Sequence, residues 1–202
     1  GENLIITIAR TYGSGGNAIG EEVAHRLGCP CYNRLIIDRT AQQMGHTPEF
    51  VEKNEQNIST ARLWELIFTD NSIPMSMNPS MDDAIFVNQS RTIRELAHKG
   101  PCVIIGRLGN WILRDNEHVL RVFITTGKDA AARYIAGKLR MTEEEAARKI
   151  ERVNTGRANH YWKYTGRQWT DICGYDLIIN TEKTGMETAT DMIMTAAKKM
   201  KR

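Results

Sequence analysis

The sequence predicts an α/β fold in which a parallel sheet of five short strands is covered by helices on both faces. Three observations carry that expectation. Apolar runs at residues 4–8, 102–105, 119–124 and 176–180, with a two-residue piece at Cys31-Tyr32, lack the polar alternation of a half-exposed strand. Amphipathic stretches separate them, as the crossovers of a parallel sheet require. The first run is followed at once by Gly13-Ser14-Gly15-Gly16 and a helical pattern, so the chain opens with strand, glycine-rich loop and helix.

Taken in order, Leu4-Ile5-Ile6-Thr7-Ile8 is apolar and β-branched, which suits a buried strand. Over 18–27, Ile19, Val23 and Leu27 recur every four residues beside Ala24, and Gly28 with Pro30 ends that helix. Residues 35–69 read as two or three weakly periodic helices, with Pro48 opening one, and 70–79 as a loop. Ser80-Met81-Asp82-Asp83 has capping-box spacing and launches a helix through Ile85, Phe86, Gln89, Ile93 and Leu96, closed by Gly100-Pro101. A helix over 128–139 follows. A second, from the capping box Thr142-Glu143-Glu144-Glu145, runs to about Tyr164. Thr184-Gly185-Met186-Glu187 opens the closing helix through Ile193 and Ala197.

The 202 residues suffice for one domain with a substantial core. A formal charge of +3 suits an anionic small molecule and is too small to argue for nucleic acid. No apolar run approaches the ~20 residues that cross a bilayer, and the first residues lack the shape of a signal peptide. No membrane partner is therefore expected, and the expected compartment is the cytoplasm. The four cysteines are too scattered for a disulfide framework, and Cys29 and Cys31 have no second Cys/His pair with which to hold zinc. The five histidines share no ligand spacing, and no metal-ligating residue is assigned.

Strand, glycine-rich loop and helix is an arrangement that holds a phosphate. Glycines let the backbone turn and present its N–H groups, and the helix N-terminus adds partial positive charge. The candidate cradle is Gly13, Ser14, Gly15, Gly16, Asn17 and Ala18; a plain tight turn is the competing reading. Aligned on the phosphate loop G-x-x-x-x-G-K-[ST], the chain has Arg10 at the first glycine, Gly16 at the lysine and Asn17 at the hydroxyl residue. Arg10 is the candidate replacement for the missing cation. Arg107 follows a central apolar run, at the strand end where open parallel sheets bind ligands, although a pair with a surface acid such as Asp115 is open to it. Arg133, Arg140, Arg148, Arg152 and Arg157 alternate with glutamates, so several should form solvated pairs and only one or two need be functional.

Several further pieces occur in a fixed order: Tyr12-Gly13-Ser14-Gly15-Gly16 with Ile19-Gly20, Cys31-Tyr32-Asn33-Arg34, Gln89, and Val103-Ile104-Ile105-Gly106-Arg107. After these come Arg157-Ala158 with Tyr161, Tyr164-Thr165-Gly166, Tyr175-Asp176-Leu177 and Asn180-Thr181. Together they resemble the cytidylate kinase-like family of P-loop nucleoside monophosphate kinases over nearly the whole chain. The resemblance implies a P-loop NTPase-type three-layer α/β/α domain over 1–202, with a helical substrate-binding region at about 35–99 and a lid at about 138–170. It implies transfer of the γ-phosphoryl of ATP, with Mg²⁺, to a small nucleotide such as CMP or dCMP. In that frame Gly13 to Ala18 and Arg10 bind ATP, while Arg107, Asn33 and Gln89 bind the acceptor. Arg157 is the transition-state arginine with Arg152 second, and Asn180-Thr181 lie near the base.

Departures accompany the likeness. Asn17 stands where family members often carry a basic residue, and Asn33 and Asn154 where they show aspartate. A lost charge-assisted contact costs about 1.5–3 kcal/mol. Two alternatives therefore stand beside the kinase: a nucleotide- or phosphate-binding protein with little catalysis, and a kinase for a non-nucleotide acceptor. The aromatic residues Tyr161, Trp162, Tyr164 and Trp169 read as packing before base stacking. The helix face at Ile85 and Phe86 is the candidate surface for a homodimer.

Overall fold

The structure, a computed structural model, describes residues 3–34, 36–37 and 81–200, the side chains of 81–85 excepted. Of the helices expected over 35–69 only residues 36 and 37 are described, both helical, and the loop over 70–79, the cap at Ser80 and the Ile85 side chain lie outside the described residues. Five strands, β1 (Ile5–Arg10), β2 (Cys31–Tyr32), β3 (Cys102–Ile105), β4 (Val119–Thr125) and β5 (Leu177–Asn180), form one sheet in the order β2-β3-β1-β4-β5. Every pairing is parallel, with Ile8 opposite Ile105 and Val122 on either side of β1.

Alternate residues of β1 serve two cores. Ile6 and Ile8 point to the face covered by helix α1 (Gly16–Leu27) and the closing helix, where they meet Ile19, Val23, Ala189 and Ile193. Ile5 and Ala9 point to the other face, against helix α2 (Met81–Lys99), the short α3 (Gly109–Ile112) and the aromatic residues Phe123, Tyr161, Trp169 and Tyr175. Full burial on both sides is why these strands read as unbroken apolar runs. Truncating one of these isoleucines to alanine would cost about 2–5 kcal/mol. Helices α4 (Lys128–Leu139) and α5 (Glu143–Thr165) make a hairpin with its own small core of Ala131, Ala132, Ile135, Ala146 and Ile150.

The turn into α5 is fixed by the expected capping box. Glu145 N donates to Thr142 Oγ1 at 3.1 Å, and Thr142 N donates to the Glu145 carboxylate at 2.9 Å. Thr142→Ala should lower unfolding stability by about 1 kcal/mol in denaturant titration, and Thr142→Ser should restore most of it. Helix α6 (Thr181–Met200) begins three residues before the expected start, because Asn180 Oδ1 accepts from Glu182 N. Its first turn is then broken at Gly185 (φ 72°), where the expected start falls. Helix α3 was not anticipated; four residues are too few to show a period. Strand β5 starts one residue late, since Asp176 is drawn into a two-pronged ion pair with Arg121 (2.8 and 3.1 Å) that ties its start to β4.

Candidate active site

Strand β1 lies at the point where connections leave the sheet in opposite directions, so a crevice opens between the C-terminal ends of β1 and β3. The glycine loop leaves β1 there. Gly13 and Gly15 both take left-handed φ (86° and 84°), which side chains rarely adopt. Thr11 N donates to Ile124 O, Ser14 Oγ donates to Thr11 O, and Thr181 Oγ1 donates to Ser14 O at 2.9 Å, so the ends of β4 and β5 hold the loop. No side chain caps the N-terminus of α1, and no acidic residue stands in its first turn. That N-terminus borders the hollow above the loop, about 90 Å³, lined by residues that include Gly13, Gly15, Gly16, Asn17, Ala18, Tyr134 and Lys138.

Beside this hollow is a cavity of about 390 Å³ lined by Arg10, Arg34, Arg107, Arg152 and Arg157, with Thr7, Asn110, His160, Tyr161 and Trp169 among its other walls. No carboxylate occurs among its described lining residues. Gly106 (φ 72°), Arg107 (φ 51°) and Leu108 (φ 57°) form a left-handed turn after β3 that delivers Arg107 to the cavity at a cost of about 1–2 kcal/mol for each non-glycine residue. Arg157 comes from α5. Its Nη1 donates to Arg10 O at 2.8 Å, and its guanidinium lies 5.8 Å from the Tyr12 ring centre. Burial, then the charge of Arg34, holds its pKa below the usual arginine range, with Tyr12 opposing the shift. One turn earlier, Asn154 Oδ1 accepts from Tyr12 N at 2.8 Å, fastening α5 to the glycine loop.

Arg10 lines both spaces. Its Nε donates to Asn17 Oδ1 at 2.9 Å. A Cβ at Gly16 would lie 2.5 Å from Arg10 Cβ, and one at Gly106 would lie 2.8 Å from Arg10 Nη1, so the side chain passes over one glycine and ends against the other. Burial, then repulsion from Arg157, Arg107 and Arg34, pushes its pKa down to about 9.

Most of the residues named from sequence thus converge. Arg10, Arg107, Arg152 and Arg157 share the cavity, and Gly13 to Ala18 form or flank the hollow. Asn33 instead accepts from Ile36 N at 3.1 Å, as the cap of the turn that begins at Arg34. Gln89 is buried in α2 and is not among the lining residues of either space. Of the remaining arginines in that stretch, Arg148 pairs with Glu144 at 3.0 Å in solvent, and Arg133 and Arg140 are exposed. Thr181 ties the loop to β4 and β5. Of the aromatic residues, Tyr161 and Trp169 are buried and Tyr164 stacks on Phe86, whereas Trp162 is exposed, contrary to the packing expected of it. Arg34, Lys138 and His160 were missed. Arg34 directly follows a residue that had been singled out, whereas Lys138 shows no motif and reaches the loop only because α4 packs beside it.

These residues fit a polyphosphate: the uncapped N-terminus of α1, left-handed glycines and five arginines converge on one crevice. They do not fit a protein-held Mg²⁺. Among the described residues no three His, Cys, Asp or Glu side chains gather, and Asn17 Oδ1, at the position of the metal-binding hydroxyl, is engaged by Arg10. A magnesium ion would be held by the phosphates and water it arrives with.

The profile of the cytidylate kinase-like family matches residues 5–183. A cytidylate kinase of Pyrococcus horikoshii is 25% identical over 187 residues, covering 92% of this chain and 84% of its own. One of Methanoculleus marisnigri is 30% identical over 110 residues, covering 54% and 58%. Among solved structures, a protein of Eubacterium ventriosum matches with a TM-score of 0.73 at 24% identity, over 96% of this chain and 98% of that one. A shikimate kinase of Bacteroides thetaiotaomicron matches at 0.52 and 12% identity, over 96% and 98%. At these identities the structures speak for the fold, a P-loop kinase-type three-layer α/β/α domain. The matched span includes the glycine loop, the arginine turn after β3 and helix α5, and the chain belongs to the cytidylate kinase-like family.

Proposed function

We propose that the protein transfers the γ-phosphoryl group of ATP to a nucleoside monophosphate, CMP or dCMP in the first instance. The observation that carries this reading is the shared wall. Arg10 and Arg157 line both the hollow above the glycine loop and the arginine cavity beside it, so an anion in each would meet at the two guanidinium groups. The loop N–H groups and α1 hold the ATP phosphates, and Arg107, with Arg34, holds the acceptor phosphate through planar, two-pronged contacts. An oxygen of the acceptor phosphate bonds to the γ-phosphorus, the bond from that phosphorus to the β–γ bridging oxygen breaks, and ADP leaves with that electron pair. Arg157 and Arg152 neutralise charge on the transferred group, and α4–α5 closes as a lid through the Asn154 fastening.

The cavity chemistry favours a phosphate over an alcohol as acceptor. A hydroxyl nucleophile needs a base to take its proton, supplied in kinases by an aspartate. A phosphate monoester is already largely ionised at neutral pH, its second pKa being about 6. The described walls offer five arginines and no carboxylate, which suits the second case. An ADP-release assay with CMP, dCMP, UMP, cytidine and shikimate tests this. Turnover is expected with a monophosphate and absent with cytidine and shikimate. Folded protein that turns over none of the monophosphates would refute the reading.

A further inference from the structure

Resting on the kinase reading, we infer that Arg10 replaces the missing loop lysine, its guanidinium holding the transferred phosphoryl group at the wall between donor and acceptor sites. Relative to the common phosphate loop, the cation and the glycine have exchanged places: arginine stands at the position of the first glycine, and glycine at the position of the lysine. The geometry explains why both changes occur together. The Arg10 side chain lies across the space a side chain at residue 16 would fill, since a Cβ there would fall 2.5 Å and 2.6 Å from Arg10 Cβ and Cγ. Gly16 has no left-handed φ that would itself demand glycine, so the demand comes from Arg10. Gly106 clears the far end, where a Cβ would meet Arg10 Nη1 at 2.8 Å. Asn17 then acts as a positioning residue, its carbonyl oxygen fixing Nε and leaving the outer edge of the guanidinium turned toward Gly106.

The electrostatics point the same way. Arg10 is half-buried, and a charge withdrawn from water is costly unless it is paired. Among the described residues, the charges acting on Arg10 are those of Arg157, Arg107 and Arg34, and all repel it. Such a group is stabilised by an anion arriving between the arginines, and its cost to the empty protein is the mark of a binding residue.

Calorimetry with Mg·ATP and with inorganic tripolyphosphate, together with thermal unfolding, tests the inference on the full chain. Arg10→Met should weaken binding of both probes about 10- to 100-fold, the range for a lost charged hydrogen bond. It should also raise the Tm of the ligand-free protein, which loss of a structural arginine would lower. Gly16→Lys alone should bind poorly, because the two side chains compete for one space. The exchange Arg10→Gly with Gly16→Lys should recover binding to within a few-fold of the original. Wild-type protein that binds neither probe would overturn the kinase reading and the inference with it. Wild-type protein that binds both, with Arg10→Met binding equally well or the exchange no better than its single parts, would overturn the inference alone.

Discussion

Arg157→Met is expected to lower turnover about 10³-fold, with the KM values for ATP and acceptor changed only a few-fold. The magnitude is the lower end of what a transition-state arginine contributes to phosphoryl transfer. The split between turnover and KM follows from placement. Arg157 lines both spaces, so on the proposed reading its contact would strengthen as charge spreads over the transferred group. Arg157→Lys keeps the charge but loses the planar fork, and should recover only part of the rate. Stability should not fall. The described hydrogen-bond acceptor of this guanidinium is the carbonyl of Arg10, and burial already holds its pKa down. A large drop in Tm would instead make Arg157 a structural strut of α5. Steady-state kinetics with CMP, read beside a melting curve, separates the two.

The second large effect is expected at Arg107. This residue lines the arginine cavity proposed to take the acceptor and not the hollow above the glycine loop, so Arg107→Ala should raise the acceptor KM about 10- to 100-fold and leave that of ATP within twofold. Its backbone adds an independent signature. With φ at 51°, alanine retains the left-handed strain while glycine releases it, so Arg107→Gly should unfold at higher denaturant than Arg107→Ala by about 1 kcal/mol. Both variants should bind acceptor equally poorly. An effect on ATP alone would place the residue in the donor site.

How much of this was legible before the fold was known depended on whether a residue acts locally. The strands at 102–105 and the helix over 128–139 match the structure to the residue, because burial on both faces and a clean helical period are written in consecutive side chains. The capping box at Thr142 is equally local. Arg107 was legible as a strand-end residue, whereas its left-handed turn was not, since neither arginine nor leucine advertises positive φ. Asn154 read as a lost carboxylate, yet it fastens α5 to Tyr12 across 142 positions of sequence, a contact that no spacing rule contains. Asn17 likewise read as a lost charge and proves to hold Arg10. Lys138 enters the site through tertiary packing alone, whereas Arg34 stood in a recognised motif with no role assigned to it.

The central claim is that one pair of arginines lies between a donor and an acceptor phosphate, and binding of a cytidine–polyphosphate–adenosine conjugate tests it most directly. Calorimetry should give this molecule an affinity at least ~10²-fold above that of ATP or CMP alone, because each end raises the effective concentration of the other. A conjugate that binds no more tightly than ATP would mean that the two spaces are not filled together, and the shared wall of Arg10 and Arg157 would have no part in phosphoryl transfer.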